Sequence, residues 1–393
     1  MYRKVLQLAI YTLFIFSCYS QHEDNKDLNA PIIPGAERTE LYLDKLKAKS
    51  VGLVVNQTSV INSTHLVDSL LSHSISISKI FAPEHGFRGK ADAGETVEDG
   101  IDTKTGLPII SLYGKNKKPS SEQLEGLEVL VFDIQDVGVR FYTYISTLHY
   151  VMEAAAENEI EVIILDRPNP NRHIIDGPVM EEEYKSFVGM HSVPVLYGLT
   201  IGEYGKMING EGWLANNINC TLEVIPCNNY NADSRYNLPI KPSPNLPNDQ
   251  SINLYPSLCF FEGTVLSIGR GTDFPFQVIG HPSLSEYPFS FTPSSNEGSK
   301  YPKHDGEICY GLDLREIEEV TELDLTYLFE FYKAMKLKEA PFFNENNFFE
   351  KLAGTRKLRE SLINEIPISE LKSSWQDELN AYKQIRANYV IYE

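Results

Sequence analysis

The stretch PEHGFRG, residues 83–89, places an acid, an imidazole and a guanidinium (Glu84, His85 and Arg88) around Gly86 and directly behind the apolar run ISKIFA. Other apolar runs end in the same way. VGLVV, residues 51–55, is followed by Asn56, Gln57 and Thr58. VLVFDI, residues 129–134, carries Asp133 at its end and leads to Gln135, Asp136 and Arg140, and EVIILD, residues 161–166, closes on Asp166 with Arg167 and Asn169 behind it. Carboxyl groups with neighbouring donors and no metal motif are equipment for acid and base work, and a pair of carboxyls is what glycoside hydrolysis needs. Glu84 is the candidate general acid. Phe81, Ala82 and Pro83 precede it, and an apolar setting is the condition under which a carboxyl keeps its proton near neutral pH. Asp133 and Asp136 compete for the second role. Each residue also has a plainer reading: Glu84 capping a turn or pairing with Arg88, Asp133 ordering a loop, His85 packing in the core.

The elements that position these residues are legible from the runs themselves. Near-continuous β-branched segments at 51–55, 77–82, 108–113, 129–134 and 161–166 predict strands covered on both faces, so a mostly parallel sheet with helices on both faces is the expected α/β architecture. In such a sheet ligands bind beyond the carboxyl ends of the strands, which is where the polar residues above fall. Tyr144, Ile145, Leu148, Val151, Met152 and Ala155 recur at helical spacing and predict a core helix over 143–157. Thr200 and Glu203 fit a capping box with Gly210 as terminator. The Pro- and Asn-rich stretch 237–257 breaks the alternation and reads as a domain junction or as a long loop over a cleft. CFFEGTVLSIGRGTDFPFQVIG beyond it reads as strand-like and glycine-broken, and the end is helical, with Leu371, Trp375, Leu379 and Tyr382 on one stripe before NYVIY.

Composition narrows the function classes. A chain of 393 residues with 42% hydrophobic residues builds a real core, and a formal net charge of -19 without a lysine and arginine cluster beyond 115–118 argues against nucleic acid as a partner. Arg3 and Lys4, an apolar run over 5–16 and small polar residues after it predict an export signal over 1–20, with a polar tether over 21–34. Cys18, behind Ile15, Phe16 and Ser17, resembles a bacterial lipoprotein processing site; cleavage near Ser20 is the alternative. Either way the mature chain is expected outside the cytoplasm, periplasmic or membrane-anchored. Cys220, Cys227, Cys259 and Cys309 are too few and too scattered for a disulfide framework, and the strand-like TLEVIP would hold the first two roughly 23 Å apart. No zinc motif, P-loop or dinucleotide fingerprint is present, so no cofactor is expected.

GLVVNQTSV, APEHGFRG, FDIQDVGVRFYTYI, LDRPNP, LYPSLCFFEGTVLSIGRGTDFPFQVIGHP and SWQDELNAYKQIRANYVIY, in that order, resemble the exo-β-N-acetylmuramidase family of peptidoglycan hydrolases, formerly a domain of unknown function, from about Gly35 to the end. The resemblance implies release of single N-acetylmuramic acid units from non-reducing ends of peptidoglycan-derived glycans. It also implies a Rossmann-like catalytic domain (35–236), a smaller C-terminal α+β auxiliary domain (237–393) and a cleft between them. Glu84 matches the family's glutamate in EHG, and the DIQDVGVRFYTY stretch carries the family's acidic and aromatic residues onto Asp133, Asp136, Arg140, Tyr142 and Tyr144.

Muramic acid carries a lactyl carboxylate, so a chain this acidic needs a local cation to bind it, and Arg140, Arg88 and Arg270 sit inside the motifs, Arg140 being the first choice. Tyr142, Tyr144 or Phe276 are candidates to stack on a sugar, and Asn56 and His85 complete the expected substrate contacts. The alternative class is an exported, lipid-anchored sugar-binding protein whose carboxylates only accept hydrogen bonds from hydroxyls. The partners expected on either reading are peptidoglycan fragments such as the MurNAc–GlcNAc disaccharide.

Overall fold

Valine and isoleucine fill the runs that predict strands, and every one of those runs contains a strand. The structure is a computed structural model and describes residues 30–87 and 99–393; the export signal, Cys18, Arg88 and most of the tether lie outside the described residues. The main sheet holds β1 (Val51–Val55), β2 (Ile77–Ala82), β3 (Gly100–Ile101), β4 (Pro108–Ser111), β5 (Val129–Asp133), β6 (Glu161–Leu165) and β7 (Leu222–Ile225). Their order across it is β7-β6-β5-β1-β2-β4-β3, and every pairing is parallel except the one between β3 and β4 at the edge. All residues of β1 and β5 are buried, as expected of central strands covered on both sides.

Side chains along each strand alternate between two cores. Val54, Phe81, Leu130, Phe132, Val162 and Ile164 face helix α1 (Tyr144–Glu157) and helix α2 (Ile201–Gly210). Leu53, Val55, Ile80, Val129, Val131, Ile163 and Leu165 face the other way, onto Tyr42, Leu66, Val67 and Leu70. The six apolar residues that predict α1 are all buried. Thr200 caps α2 with Glu203 in a reciprocal capping box. All four described cysteines are free and buried, with β7 stretched between Cys220 and Cys227.

The C-terminal part is smaller and mixed. Strands β8 (Val278–His281), β9 (Phe289–Phe291) and β10 (Cys309–Asp313) form an antiparallel sheet in the order β8-β10-β9, followed by helices from Thr326–Leu337 to Gln376–Arg386. Most of its apolar residues join the α1 side of the main core, Phe260, Phe261, Phe331 and Phe349 lying in the same cluster as Phe132 and Leu148, while Val278, Phe291 and Cys309 form a small cluster of their own. Two expectations change here. Helix α3 (Asp249–Leu258) occupies the end of the stretch read as a loop, started by an Asn248–Ser251 capping box that outweighs Pro256 near its far end. It runs on into a 3-10 turn, Cys259–Gly263, where a strand was expected.

The closing motif of the sequence is a strap. Leu371, Trp375, Leu379 and Tyr382 are buried, and the Tyr382 hydroxyl donates to the Tyr197 carbonyl at 2.6 Å. Beyond that helix the Tyr392 hydroxyl donates to Asp166 Oδ2 at 2.6 Å while Arg172 Nη2 donates to the Tyr392 carbonyl at 2.6 Å. The C terminus is thereby tied to the carboxyl end of β6.

Candidate active site

Glu84 and His85 sit in the turn that ends β2. Its Pro83 carbonyl accepts from the Gly86 amide at 2.9 Å, and His85 and Gly86 both take left-handed backbone, at φ 70° and 74°. Glycine accepts that conformation freely, and the histidine is one of the few other residues to do so. The turn drives Phe87 into the core against the ring of His65 and leaves Glu84 beside the start of α1, where the Thr143 hydroxyl donates to Glu84 Oε2 at 2.6 Å.

Glu84 and His85 line a pocket of about 450 Å³ whose remaining wall comes largely from the second half of the chain. Phe141, Tyr142, Tyr255 and Phe276 form an aromatic side held by edge-to-face contacts, with Tyr255 5.4 Å from Phe141 and 4.9 Å from Phe276. The segment before α3 contributes Ser243 and Asn245, so the stretch read as a junction or a loop over a cleft does lie over one. The charged side holds Glu262, Arg270 and Lys303. Arg270 Nε donates to Glu262 Oε1 at 2.5 Å, which is the one hydrogen bond that the guanidinium makes among the described residues, so its two terminal nitrogens remain for a ligand. Lys303 Nζ donates to the carbonyls of Phe261 (2.9 Å), Glu262 (3.3 Å), Thr264 (2.5 Å) and Leu266 (3.2 Å). Burial alone would raise the Glu262 carboxyl, but the charges of Arg270 and Lys303 outweigh it and hold that group below the ordinary glutamate range. Burial draws Lys303 down, against the pull of Glu262.

The pocket thus brings together Glu84, His85, Tyr142, Arg270 and Phe276 from the residues singled out in the sequence. The others are placed elsewhere. Asp133 is fully buried and takes two bonds from Arg167, Nε to Oδ1 at 2.5 Å and Nη2 to Oδ2 at 2.9 Å. This pair fills the gap beyond β1 and β5, where the order of strands reverses and a doubly wound sheet would ordinarily receive its ligand. Asp136 is buried behind the aromatic side, accepting at Oδ2 from the Gly138 amide (2.7 Å) and from the Tyr197 hydroxyl, and burial pushes its carboxyl up to about 6. Asn56 and Tyr144 form a supporting layer: Asn56 Nδ2 donates to the Tyr144 hydroxyl at 3.0 Å, and that hydroxyl donates to the Pro242 carbonyl at 3.3 Å.

Arg140 is the largest correction. Its guanidinium is fully buried away from the pocket and donates to four carbonyls, those of Pro178 (2.8 Å), Val193 (2.7 Å), Leu352 (3.0 Å) and Ala353 (2.7 Å). It ties the two halves of the chain together instead of reading a ligand, and burial draws it down to about 9.

Glu262, Lys303 and Thr143 are among the pocket residues that sequence reasoning passed over. Glu262 stands in the CFFEG motif, and the signal was its glycine: a Cβ on Gly263 would lie 2.5 Å from the Phe349 backbone, so the chain needs a glycine there to bring Glu262 and the following loop against the core.

Known proteins match this chain over nearly its whole length. Residues 51–250 match the family model for the exo-β-N-acetylmuramidase NamZ N-terminal domain, and residues 253–392 match the model for its C-terminal domain. The peptidoglycan β-N-acetylmuramidase NamZ of Bacillus subtilis (strain 168) is 37% identical over 379 residues, covering 89% of each chain. Crystal structures of two DUF1343 family proteins from Bacteroides fragilis NCTC 9343 superpose with TM-scores of 0.86 and 0.78, at 41% and 29% identity, over 93% and 92% of this chain and 99% of each of theirs. The chain belongs to the exo-β-N-acetylmuramidase NamZ family, and with it to the glycoside hydrolases.

Proposed function

We propose that this chain releases N-acetylmuramic acid, one unit at a time, from the non-reducing ends of peptidoglycan-derived glycans, with Glu84 as general acid and Glu262 as the second carboxylate. One observation carries the reading: among the described residues Glu84 and Glu262 are the two carboxyl groups that line the pocket, one from each half of the chain. Glu84 gives its proton to the glycosidic oxygen as the bond to the anomeric carbon breaks. Glu262, held as an anion by Arg270, supplies the negative charge that an oxocarbenium-like centre needs. Water completes the reaction, its hydroxyl going to the anomeric carbon and a proton returning to the carboxylates. The N-terminal pattern read as an export signal supports a site of action outside the cytoplasm, either on a lipid anchor at Cys18 or as a periplasmic chain cleaved near Ser20.

The lactyl carboxylate of the substrate meets the charged side of the pocket. Two cations, Arg270 and Lys303, against one anion, Glu262, leave a local excess of positive charge in a chain of net charge -19. Arg270 offers a planar fork suited to a carboxylate. Arg270→Lys keeps a charge beside Glu262 and loses the fork, so kcat/KM for a muramic substrate relative to its N-acetylglucosamine analogue is expected to fall about ten- to a hundredfold. Arg140→Ala acts differently: it strands four carbonyls and costs at least about 3 kcal/mol of stability in chemical denaturation, without changing that ratio. The direct test is incubation with a MurNAc–GlcNAc disaccharide and with longer peptide-free glycans, followed by product identification. Free N-acetylmuramic acid from both is expected; internal fragments without monosaccharide would overturn the reading.

A further inference from the structure

Tyr301 lines the pocket and is nevertheless 95% exposed, so it stands at the mouth. Its side chain makes no hydrogen bond, ion pair or ring contact with the described residues, and nothing in the fold rewards holding a bare aromatic ring in water. The loop that carries it is, by contrast, pinned. The Gly306 amide donates to the Pro293 carbonyl at 2.8 Å and closes the loop on itself, and Asn245 Nδ2 donates to the Gly298 carbonyl at 2.5 Å. Immediately after Tyr301, Pro302 packs so tightly on Gly271 that a Cβ there would lie 2.7 Å from its ring. Lys303 then binds its four carbonyls, and His304 Nε2 bonds the Val265 carbonyl at 2.8 Å. Every neighbour of the tyrosine is anchored while the ring itself is left open.

We propose that Tyr301 is the stacking platform for the sugar on the leaving side of the cleaved bond, a hexopyranose of the N-acetylglucosamine type. This rests on the function proposed above, since an exo-acting hydrolase encloses one sugar and must leave the next at the pocket mouth. A pinned aromatic ring there offers a flat apolar face to the C–H face of a pyranose at little cost in ordering, and it favours substrates whose leaving group is a sugar.

The experiment compares two substrates that share the muramyl unit: the MurNAc–GlcNAc disaccharide and muramyl β-fluoride, whose leaving group is a single atom. The ratio of their kcat/KM values is expected to fall about three- to tenfold in Tyr301→Ala and to stay within about twofold in Tyr301→Phe. An unchanged ratio in Tyr301→Ala, or equal losses on both substrates, overturns the platform while leaving the muramidase reading intact. Should the wild-type protein cleave neither substrate, the function proposed above fails. The Tyr301→Trp variant then decides the platform alone: a change in indole emission on adding the disaccharide supports it, and no change overturns it.

Discussion

Glu84→Gln is expected to lower kcat on the MurNAc–GlcNAc disaccharide by about a hundred- to ten-thousandfold and to leave the fold unchanged. The substitution is nearly isosteric. Its carbonyl oxygen can still accept from the Thr143 hydroxyl that positions Glu84 Oε2 at 2.6 Å, and the left-handed turn at His85 and Gly86 does not depend on the carboxyl. What is lost is the proton. A leaving alkoxide in the transition state then has no donor, whereas the bound ground state keeps its contacts, so the loss falls on kcat and not on binding. Calorimetric titration with the disaccharide should give an affinity close to that of the wild type. Retention of more than about a tenth of kcat would remove Glu84 from the role of acid.

The sheet was legible because its strands are buried on both faces and therefore written in β-branched residues, with β1 and β2 beginning and ending where the runs do. The rim rule then found Glu84 and His85, since the end of β2 opens on the pocket. At β5 it led to a residue outside the pocket lining for a physical reason: the reversal point beside β1 is closed by the protein's own Asp133–Arg167 pair, whose members are 34 residues apart and carry no local sign of the pairing. Arg140 was illegible in the same way. Two of its four acceptors, Leu352 and Ala353, stand more than 200 residues away, and no local pattern could separate a tie between halves from a ligand reader. Apart from Arg270 and Phe276, which the motifs supplied, the C-terminal wall escaped because the rule concerns parallel strands only. Glu262 lies within a 3-10 turn, and Lys303 is placed by carbonyls, so neither follows a run that marks it.

Glu262→Gln is expected to cost about as much activity as Glu84→Gln, for the opposite electrostatic reason. Glu262 works as an anion: burial alone would raise its carboxyl, yet Arg270 and Lys303 carry it below the ordinary glutamate value, so it is ionised at neutral pH. Glutamine keeps the shape and removes the charge that faces the forming cation, a loss of about a hundred- to ten-thousandfold in kcat. The acid limb of the wild-type pH–rate profile should accordingly lie below about pH 4.3, the ordinary glutamate value. The sign for stability is the same: a depressed folded-state pKa gives stabilisation that is fully present above about pH 4.3 and is lost as pH falls through the folded value. The substitution also leaves Arg270 without its counter-charge, costing up to about 3 kcal/mol, so rates must be taken per folded molecule, below the melting transition. Asp133→Asn supplies the comparison. It breaks a more deeply buried pair, with Arg167, and is expected to lose about 3–5 kcal/mol of stability in chemical denaturation while the molecules that remain folded turn over at the wild-type rate. If folded Glu262→Gln instead retains near-wild-type kcat and folded Asp133→Asn is inactive, the second carboxylate belongs to β5, and the Arg167 pair must open when substrate binds.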